Sequence, residues 1–566
     1  MREKMKKEKR MVRFVQIFFL AALIVTAGLH IGCNSAPSKS RLNFEVSFPS
    51  EIHPDAITGR VYAMISKNEN AEPRLQALRI SQNGVPFWGK NISQLKPGDV
   101  AIIDEGAFGH PLKSFKAIPA GEYYVQGFIN VYTEFKRSDG HTLWMHNDQW
   151  EGQRWNVSPG NLYSDVVKVV IDPSKSSTIK LDCNNVLPPV QVPPDTEFVQ
   201  SVKFQSKILS DFWGQPIYLG ATLLLPKDYD KHPDVYYPVN YIQGHFSIEP
   251  PYGFRTEDPG EKEVRGRSGY EFYKYWTSDK CPRMIAVTFQ HPCPYYDDSY
   301  AVNSPNVGPY GDAIMNELIT YVEEHFRIIQ KPYARVLSGG STGGWESLAL
   351  QIFHPDFFGG TFSSCPDSVD FHYYQIVNIY EDKNAYFKEY DWAKVERPDY
   401  VEIDGNIHEM MKDENWYELT VGDKTRGGGQ WSIWEAVYSP VGDDGYPKPI
   451  WDKLTGEIDH SVAEYWKENW DLRYYLEKNW ATIGPKLVGK LHIYVGDMDG
   501  YYLNDAVVLM EGFLEKTKDP YYAGTVKYGW RKPHCWGPRG EEAIQLFADY
   551  IKKTAPKGEN TNKWNY

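Results

Sequence analysis

Several chemical signatures are missing from this 566-residue chain. It has no HExxH motif and no cysteine–histidine cluster at the spacing of a zinc site. It also lacks the phosphate-binding P-loop and the glycine fingerprint of dinucleotide-binding folds. These absences argue against the enzyme classes that such motifs define. We therefore predict a mechanism that needs no metal and no cofactor.

Cysteine is scarce as well, with six in the whole chain. Beyond the N-terminal region the cysteines are Cys183, Cys281, Cys293, Cys365 and Cys535. Five is an odd number, no CxxC pair is present, and the spacings are not typical of a disulfide framework. The sequence therefore predicts mostly buried free thiols, with Cys535 as a packing residue.

Positive charge is in deficit: the chain has 61 Lys and Arg residues but 74 Asp and Glu residues, which gives a formal net charge of −13. The first 32 residues are basic, so the remainder is more acidic still. An acidic body argues against nucleic acid as a partner. The hydrophobic fraction of 42% is ample for packed cores, and the length predicts two or three domains.

The N-terminus has the order of an export signal. Basic residues come first, an apolar run follows from Phe14 to about Gly28, and Gly32-Cys33 resembles a bacterial lipoprotein cleavage site. We predict a lipoprotein-type signal peptide over 1–33, lipidation of Cys33, and a tether over 34–40. The protein is then a membrane-anchored lipoprotein of the periplasm or cell surface. An uncleaved signal anchor and ordinary secretion are the alternatives.

The rest of the chain divides into two patterns. Residues 41–190 contain short alternating strand-like runs between turns, which predicts an all-β, immunoglobulin-like sandwich domain. A proline-rich connector follows, with a linker over 191–200. From 201 to 556 strand-like and helical runs alternate, which is typical of an α/β domain. Residues 557–566 are predicted to form a flexible tail.

A long tryptophan-rich insertion, about 366–485, interrupts the α/β pattern. Long insertions in a compact domain are often lids or binding loops. We predict a cap over the active site; the alternative is an insertion that packs on the edge of the domain.

The segment Gly339-Gly340-Ser341-Thr342-Gly343 has the form GxSxG. The motif alone is weak. Here a strand-like run, Ala334–Ser338, precedes it and a helix-like run follows, as the tight nucleophile turn of α/β hydrolases requires. The dipole and free N–H groups of that helix suit a developing oxyanion. We predict that Ser341 is a catalytic nucleophile.

A serine nucleophile needs a general base and a carboxylate that orients the base. In this fold the chain order is serine, then Asp or Glu, then histidine. Asp497 and Asp499 follow one later strand-like run, and His534 follows the next. We predict His534 as the base and Asp499 as the acid, with Asp497 as the alternative.

The oxyanion hole needs two backbone donors. One is expected to be the N–H of Thr342, directly after the nucleophile. The other is expected from the loop after the strand-like run 237–243, which nominates Phe246 or His245.

Residues 236–550 resemble the putative-esterase branch of the α/β-hydrolases, which includes esterase D, feruloyl esterases and enterochelin esterases. The segments that carry the resemblance are Gly311–Ile319, Ser338–Glu346, His354–Gly360, Gly496–Asp499 and His534–Trp536. The resemblance implies an α/β-hydrolase fold and carboxylic ester hydrolysis, and the last residue of its acid turn favours Asp499. The β-rich first domain and the long insertion depart from the family.

Together the patterns predict a serine hydrolase that cleaves a carboxylic ester through an acyl-enzyme, with a small-molecule or acylated-polysaccharide substrate. A peptidase or an acyltransferase with the same triad stays open. So does a non-catalytic glycan-binding protein that stacks sugars on aromatic side chains.

Overall fold

The structure, a computed structural model, describes residues 42–260 and 264–566. The predicted signal peptide, the tether and Cys33 lie outside the described residues. Within the described part of the chain, no helix has the length and apolar content that crossing a bilayer requires.

Residues 42–186 form two β-sheets. In the first strand buried and half-buried side chains alternate, so one face of the strand meets the core. The strands are β1 Leu42–Ser47, β2 Ile57–Ser66, β3 Phe87–Leu95, β4 Ala101–Ile103, β5 Phe108–His110, β6 Gly121–Val131, β7 Thr133–Lys136, β8 Thr142–Met145, β9 Leu162–Tyr163, β10 Val167–Ile171, β11 Ser177–Asp182 and β12 Asn185–Val186.

The smaller sheet has the order β11-β1-β4 and the larger has the order β12-β9-β6-β2-β3-β5, with β10 also paired to β6. Strands β7 and β8 pair as a separate hairpin. Both sheets contribute to one apolar core, which includes Phe44, Val61, Trp88, Val125 and Leu181. The immunoglobulin-like assignment of this domain stays a prediction.

The second domain is built on one eight-stranded sheet with the order β13-β14-β16-β15-β19-β20-β25-β26. Its first two strands pair antiparallel and the strands from β16 onward are parallel. The central parallel strands, such as β15 and β16, are apolar and mostly buried, as is typical of strands covered on both faces. Their bounds are β13 Val199–Ser206, β14 Ile217–Leu224, β15 Val239–Gln243, β16 Ile285–Gln290, β19 Arg335–Gly340, β20 Gly360–Ser364, β25 Leu491–Gly496 and β26 Thr525–Gly529. Two short strands, β17 Asn303–Ser304 and β18 Gly308–Pro309, pair beside it.

One short helix belongs to the first domain, where it packs on β2 and β6, and the other helices belong to the α/β domain and its insertion. A π-helical segment, Ile314–Leu318, lies between two consecutive helices of the α/β domain. The bounds of the helices are α1 Pro73–Gln76, α2 Lys207–Trp213, α3 Val264–Trp276, α4 Tyr310–Ala313, α5 Ile319–His325, α6 Thr342–Phe353, α7 Met411–Val421, α8 Gln430–Tyr438, α9 His460–Trp470, α10 Leu472–Leu487, α11 Leu503–Leu514 and α12 Gly540–Thr554. Helix α6 is buried over nearly its whole length, which fixes the turn that precedes it.

The chain between β20 and β25 forms the long insertion. It contains the helices α7 to α10 and two hairpins, which are built from β21 Phe387–Tyr390, β22 Ala393–Glu396, β23 Pro398–Val401 and β24 Ile407–Met410. Most of its tryptophans, such as Trp431, Trp451 and Trp466, are buried in an apolar core that is continuous with that of the α/β domain, whereas Trp392 is 97% exposed. The first domain packs on the insertion, because Arg60 of β2 donates from Nε to the carbonyl oxygen of Thr420 over 3.0 Å.

The chain's last ten residues correct one prediction. Residues 557–566 were expected to be a flexible tail, but Trp564 is only 1% exposed. The hydroxyl groups of Tyr566 and Tyr237 lie 2.7 Å apart. Two aromatic side chains therefore hold this segment on the α/β domain.

Candidate active site

Ser341 lies on a sharp turn between β19 and α6. Its backbone has φ 58° and ψ −122°, a strained conformation for a residue with a side chain. The turn requires glycine at two neighbouring positions. A Cβ on Gly343 would collide with the carbonyl oxygen of Gln243, and one on Gly344 would lie 2.6 Å from the carbonyl oxygen of Ser364. The sequence thus folds into a tight strand-to-helix turn with Ser341 at its apex.

His534 and Asp499 meet at the carboxyl end of the sheet. Asp499 follows β25, His534 follows β26, and His534 Nδ1 lies 2.9 Å from Asp499 Oδ2. The other oxygen of Asp499 accepts from the backbone N–H of Tyr501 at 3.0 Å, and the Asp499 residue is 3% exposed. Asp497, the alternative acid, has no hydrogen bond to His534 and its Oδ1 has no partner among the described residues. The structure therefore brings Asp499 to the histidine.

Ser341 and His534 line the same cavity, whose volume is about 380 Å³. The Ser341 hydroxyl donates to Asp367 Oδ1 at 3.3 Å. His534 Nε2 lies 3.4 Å from Cys535 Sγ. The serine–histidine hydrogen bond is therefore not formed in this structure, and catalytic hydrogen bonds often tighten only when substrate is bound.

Asp367 is a site residue that the sequence analysis missed. It is buried, and its Oδ2 accepts hydrogen bonds from Tyr300 Oη, Thr342 Oγ1 at 3.2 Å, Gln430 Nε2 at 3.2 Å and Trp434 Nε1 at 3.3 Å. Burial raises the pKa of Asp367, and the hydrogen bond from Tyr300 lowers it in part. Its position just after β20, the strand beside the nucleophile strand, was the signal available in the sequence.

The predicted oxyanion residues lie around the nucleophile turn. Thr342 is the first residue of α6 and is buried. The loop after β15 packs directly on the turn, since the Gly343 backbone abuts Gln243 and Gly244. His245 lines the cavity with Ser341, whereas the ring of Phe246 packs on Trp150 of the first domain, with ring centroids 5.2 Å apart.

The His245 imidazole lies between two carboxylates. Its Nδ1 is 3.1 Å from Asp297 Oδ1 and 3.2 Å from Asp298 Oδ2. Burial lowers the pKa of His245, but the two carboxylates outweigh it and raise the pKa well above its ordinary value. These three side chains also have the spacing to bind a cation, as do Asp370, His372 and Asp471. In both groups the histidine is already paired with an aspartate.

Two cysteines correct a second prediction. The cysteines were expected to be mostly buried free thiols, with Cys535 as a packing residue, but Cys365 and Cys535 form a disulfide, with Cα atoms 4.9 Å apart. Cys183, Cys281 and Cys293 are free and buried, as predicted. Cys365 Sγ also accepts from the backbone N–H of Ser341 at 3.2 Å. The bridge therefore joins the residue after His534 to the wall of the nucleophile turn.

We expect loss of this disulfide to impair both stability and catalysis. The bridge closes a separation of 170 residues, so the Cys365→Ala/Cys535→Ala variant should lose about 3–5 kcal/mol of unfolding free energy. A looser His534 loop should lower kcat by about 10- to 100-fold. Denaturant unfolding and ester turnover, each with and without dithiothreitol, measure both effects.

The control is Cys183→Ala, which removes a buried free thiol and should keep the wild-type response to dithiothreitol. The double variant should not respond to dithiothreitol. Equal activity of oxidised and reduced wild type would contradict a positioning role for the bridge.

The parallel sheet and the strained serine turn, with Asp499 and His534 after later strands, are typical of an α/β-hydrolase-like fold. Residues 219–415 match the family model described as "Putative esterase". The resemblance predicted from the sequence is thereby confirmed over this segment. This match also confirms the prediction that the protein is a carboxylic ester hydrolase.

The solved structures that resemble this chain share little sequence identity with it. A ferulic acid esterase is 15% identical, with 63% of this chain and 96% of that chain covered and a TM-score of 0.36. S-formylglutathione hydrolase (FrmB) from Staphylococcus aureus is 13% identical, with 62% and 98% covered and a TM-score of 0.33. A ferulic acid esterase from Anaeromyces mucronatus, in complex with ferulic acid, is 14% identical, with 63% and 91% covered and a TM-score of 0.27. No curated protein matches the chain.

Proposed function

We propose that this protein is a serine esterase that uses Ser341, His534 and Asp499 as a catalytic triad. The observation that carries the proposal is the His534–Asp499 pair, 2.9 Å apart, in a loop that borders the same cavity as the strained Ser341 turn. An orienting carboxylate behind an imidazole, next to a serine on such a turn, is the arrangement that acyl transfer requires.

The proposed reaction has two halves. Ser341 Oγ attacks the ester carbonyl carbon while His534 Nε2 takes its proton, and the tetrahedral oxyanion accepts hydrogen bonds from the Thr342 N–H and the 244–246 loop. The oxyanion then collapses, His534 gives the proton to the leaving alcohol, and an acyl-enzyme forms. Water, deprotonated by His534, attacks the acyl carbon and releases the acid and Ser341.

Substrate binding must first free the Ser341 hydroxyl from Asp367. The two groups are joined by a 3.3 Å hydrogen bond. Rotation of the serine side chain toward His534 Nε2 breaks this bond and makes the catalytic one. Asp367 keeps its four donors on Oδ2 through that change, so the carboxylate stays satisfied without the serine.

We propose that the insertion caps the site. Gln430 and Trp434 of α8 line the cavity beside Ser341, which supports a covering role. As the substrate we propose an acylated carbohydrate. Most of the insertion's tryptophans are buried, but Trp392 of the insertion and Trp530, which follows β26, are exposed and can stack on sugar rings.

The proposed function is tested by comparing turnover of 4-nitrophenyl acetate with that of peptide 4-nitroanilides. Efficient ester hydrolysis without anilide cleavage is the expected result. Cleavage of peptide anilides alone would make the protein a peptidase. Transfer of the acetyl group to an added alcohol in preference to water would make it an acyltransferase.

We also propose export and lipid attachment through Cys33, which lies outside the described residues. The Cys365–Cys535 disulfide supports an oxidising compartment. Metabolic labelling with radioactive palmitate should mark the wild-type protein and spare the Cys33→Ala variant. An unlabelled wild-type protein in the culture medium would favour ordinary secretion instead.

A further inference from the structure

The β-rich first domain contributes one charged side chain to the active-site cavity. Arg79 lies in the loop between α1 and β3, and it lines the cavity together with Ser341, His534 and Tyr501. The other described residues that line this cavity belong to the α/β domain or its insertion. The cavity is therefore complete only when both domains are present.

The Nε atom of the Arg79 guanidinium forms an ion pair with a glutamate of the insertion. Arg79 Nε lies 3.1 Å from Glu414 Oε1 of α7, and Glu414 is buried. Among the described residues, the two terminal nitrogens of Arg79 donate no hydrogen bond to a protein acceptor. The Arg79 side chain is 27% exposed. The terminal nitrogens are thus available to a ligand in the cavity.

The electrostatic surroundings keep Arg79 cationic. Several buried acids lie around it, and burial raises the pKa of Glu414 and Glu409, and that of Asp399 to about 7. The pKa of Arg79 is raised above its usual range, chiefly by the neighbouring Glu414 carboxylate, so its guanidinium stays charged. A second cation, the His245 imidazolium between Asp297 and Asp298, lines the same cavity.

We propose that Arg79 is a specificity residue that binds a carboxylate on the substrate, so that the enzyme selects esters that carry an acidic group close to the scissile bond. This inference rests on the serine esterase function proposed above. Two parallel N–H donors of a guanidinium match the two oxygens of a carboxylate. The acidic groups around Arg79 disfavour a doubly charged phosphate more than a singly charged carboxylate.

The test measures selectivity within each protein variant. The first pair is mono-4-nitrophenyl glutarate and 4-nitrophenyl pentanoate, in which the acidic group lies on the acyl side of the ester. The second pair is 4-acetoxybenzoate and its methyl ester, in which the acidic group lies on the alcohol side. Wild type should prefer the acidic member of at least one pair. Removing Arg79 should lower that ratio of kcat/KM values by about 10- to 100-fold, as expected for a charge-assisted hydrogen-bonded pair.

The variants separate recognition from folding. Arg79→Gln alone leaves the buried Glu414 without its cation, so Arg79→Gln/Glu414→Gln is tested beside it, with the melting temperature measured for each. Arg79→Lys keeps the charge and should retain part of the selectivity. Arg154→Gln removes an exposed arginine of the same domain that does not line the cavity, and it should leave the ratio unchanged.

A wild type without preference for either acidic ester, or a folded Arg79→Gln/Glu414→Gln variant with the wild-type ratio, would overturn the inference. A second measurement does not depend on ester hydrolysis. Calorimetric titration of Ser341→Ala protein with glutarate and with 4-hydroxybenzoate should show binding of at least one, weakened at least about tenfold when Arg79 is also replaced. If no ester is turned over but this binding is seen, the proposed function fails and the carboxylate site stands. Binding of neither acid, or binding that is independent of Arg79, overturns the site.

Discussion

Replacing Ser341 by alanine is expected to lower kcat for 4-nitrophenyl acetate by about 10⁵- to 10⁶-fold, the size of effect seen when a triad nucleophile is removed. Alanine has no oxygen to attack the carbonyl, so the acyl-enzyme cannot form. A fluorophosphonate probe, which reacts only with an activated serine, should label the wild-type protein and leave Ser341→Ala unlabelled. The loss should come without unfolding, because a methyl group fits where the hydroxyl lay.

The matched control is Ser338→Ala, a change of the same type on the strand that leads to the turn. Ser338 Oγ donates to Asn240 Oδ1 at 3.0 Å and has no hydrogen bond to His534 or Asp367. This variant should keep both labelling and turnover. Labelling of wild type that persists in Ser341→Ala would contradict the nucleophile assignment. A wild-type protein that is never labelled would favour a binding protein with an inactive triad.

The tight turn at Ser341 could be predicted from the sequence because its determinants are local. A strand, four glycines around the serine and a helix that follows at once lie within about a dozen residues. The choice between Asp497 and Asp499 was not local. Side chains two residues apart on an extended segment point to the same side, so spacing alone cannot decide which carboxylate reaches the histidine. The position of His534, fixed by the pairing of β25 with β26, makes the difference.

The features that the sequence did not reveal depend on contacts between distant segments. The Cys365–Cys535 bridge joins residues that lie beside each other only because β20 and the loop after β26 end at the same edge of the sheet. Arg79 reaches the cavity from another domain, and no local pattern marks it among the other basic residues. Trp564 shows the same limit, because a short polar terminal segment with one buried aromatic resembles a disordered tail in composition.

Asp367 connects the Ser341 turn to the insertion. Its carboxylate accepts from Ser341 and Thr342 of the nucleophile turn on one side, and from Gln430 and Trp434 of the insertion on the other. A shift of α8 would therefore move the carboxylate that holds the Ser341 hydroxyl. Under the proposed function, a substrate that displaces α8 is expected to release the serine hydroxyl for attack.

The Asp499→Asn variant is expected to lose about 10⁴-fold in kcat, the loss found when the acid of such a triad becomes an amide. Asparagine can donate its N–H₂ group to His534 Nδ1, which favours the tautomer with the proton on Nε2. That nitrogen then cannot accept the serine proton. The amide also carries no charge to stabilise the imidazolium that forms in the transition state. Steady-state turnover of 4-nitrophenyl acetate measures the loss.

Asp497→Asn is the matched control, since it makes the same chemical change two residues away in the same turn. Asp497 has no hydrogen bond to His534, so this variant should keep kcat within about threefold of wild type, the usual range for a change outside the catalytic groups. A larger loss in Asp497→Asn than in Asp499→Asn would move the acid to Asp497. Small losses in both would mean that His534 works without an orienting carboxylate, and the proposed triad would then reduce to a serine–histidine pair. The melting temperature of each variant is measured as well, because Asp499 is buried and also accepts from the Tyr501 N–H, so its replacement could destabilise the fold. A loss of kcat is assigned to catalysis only when the melting temperature stays close to that of wild type.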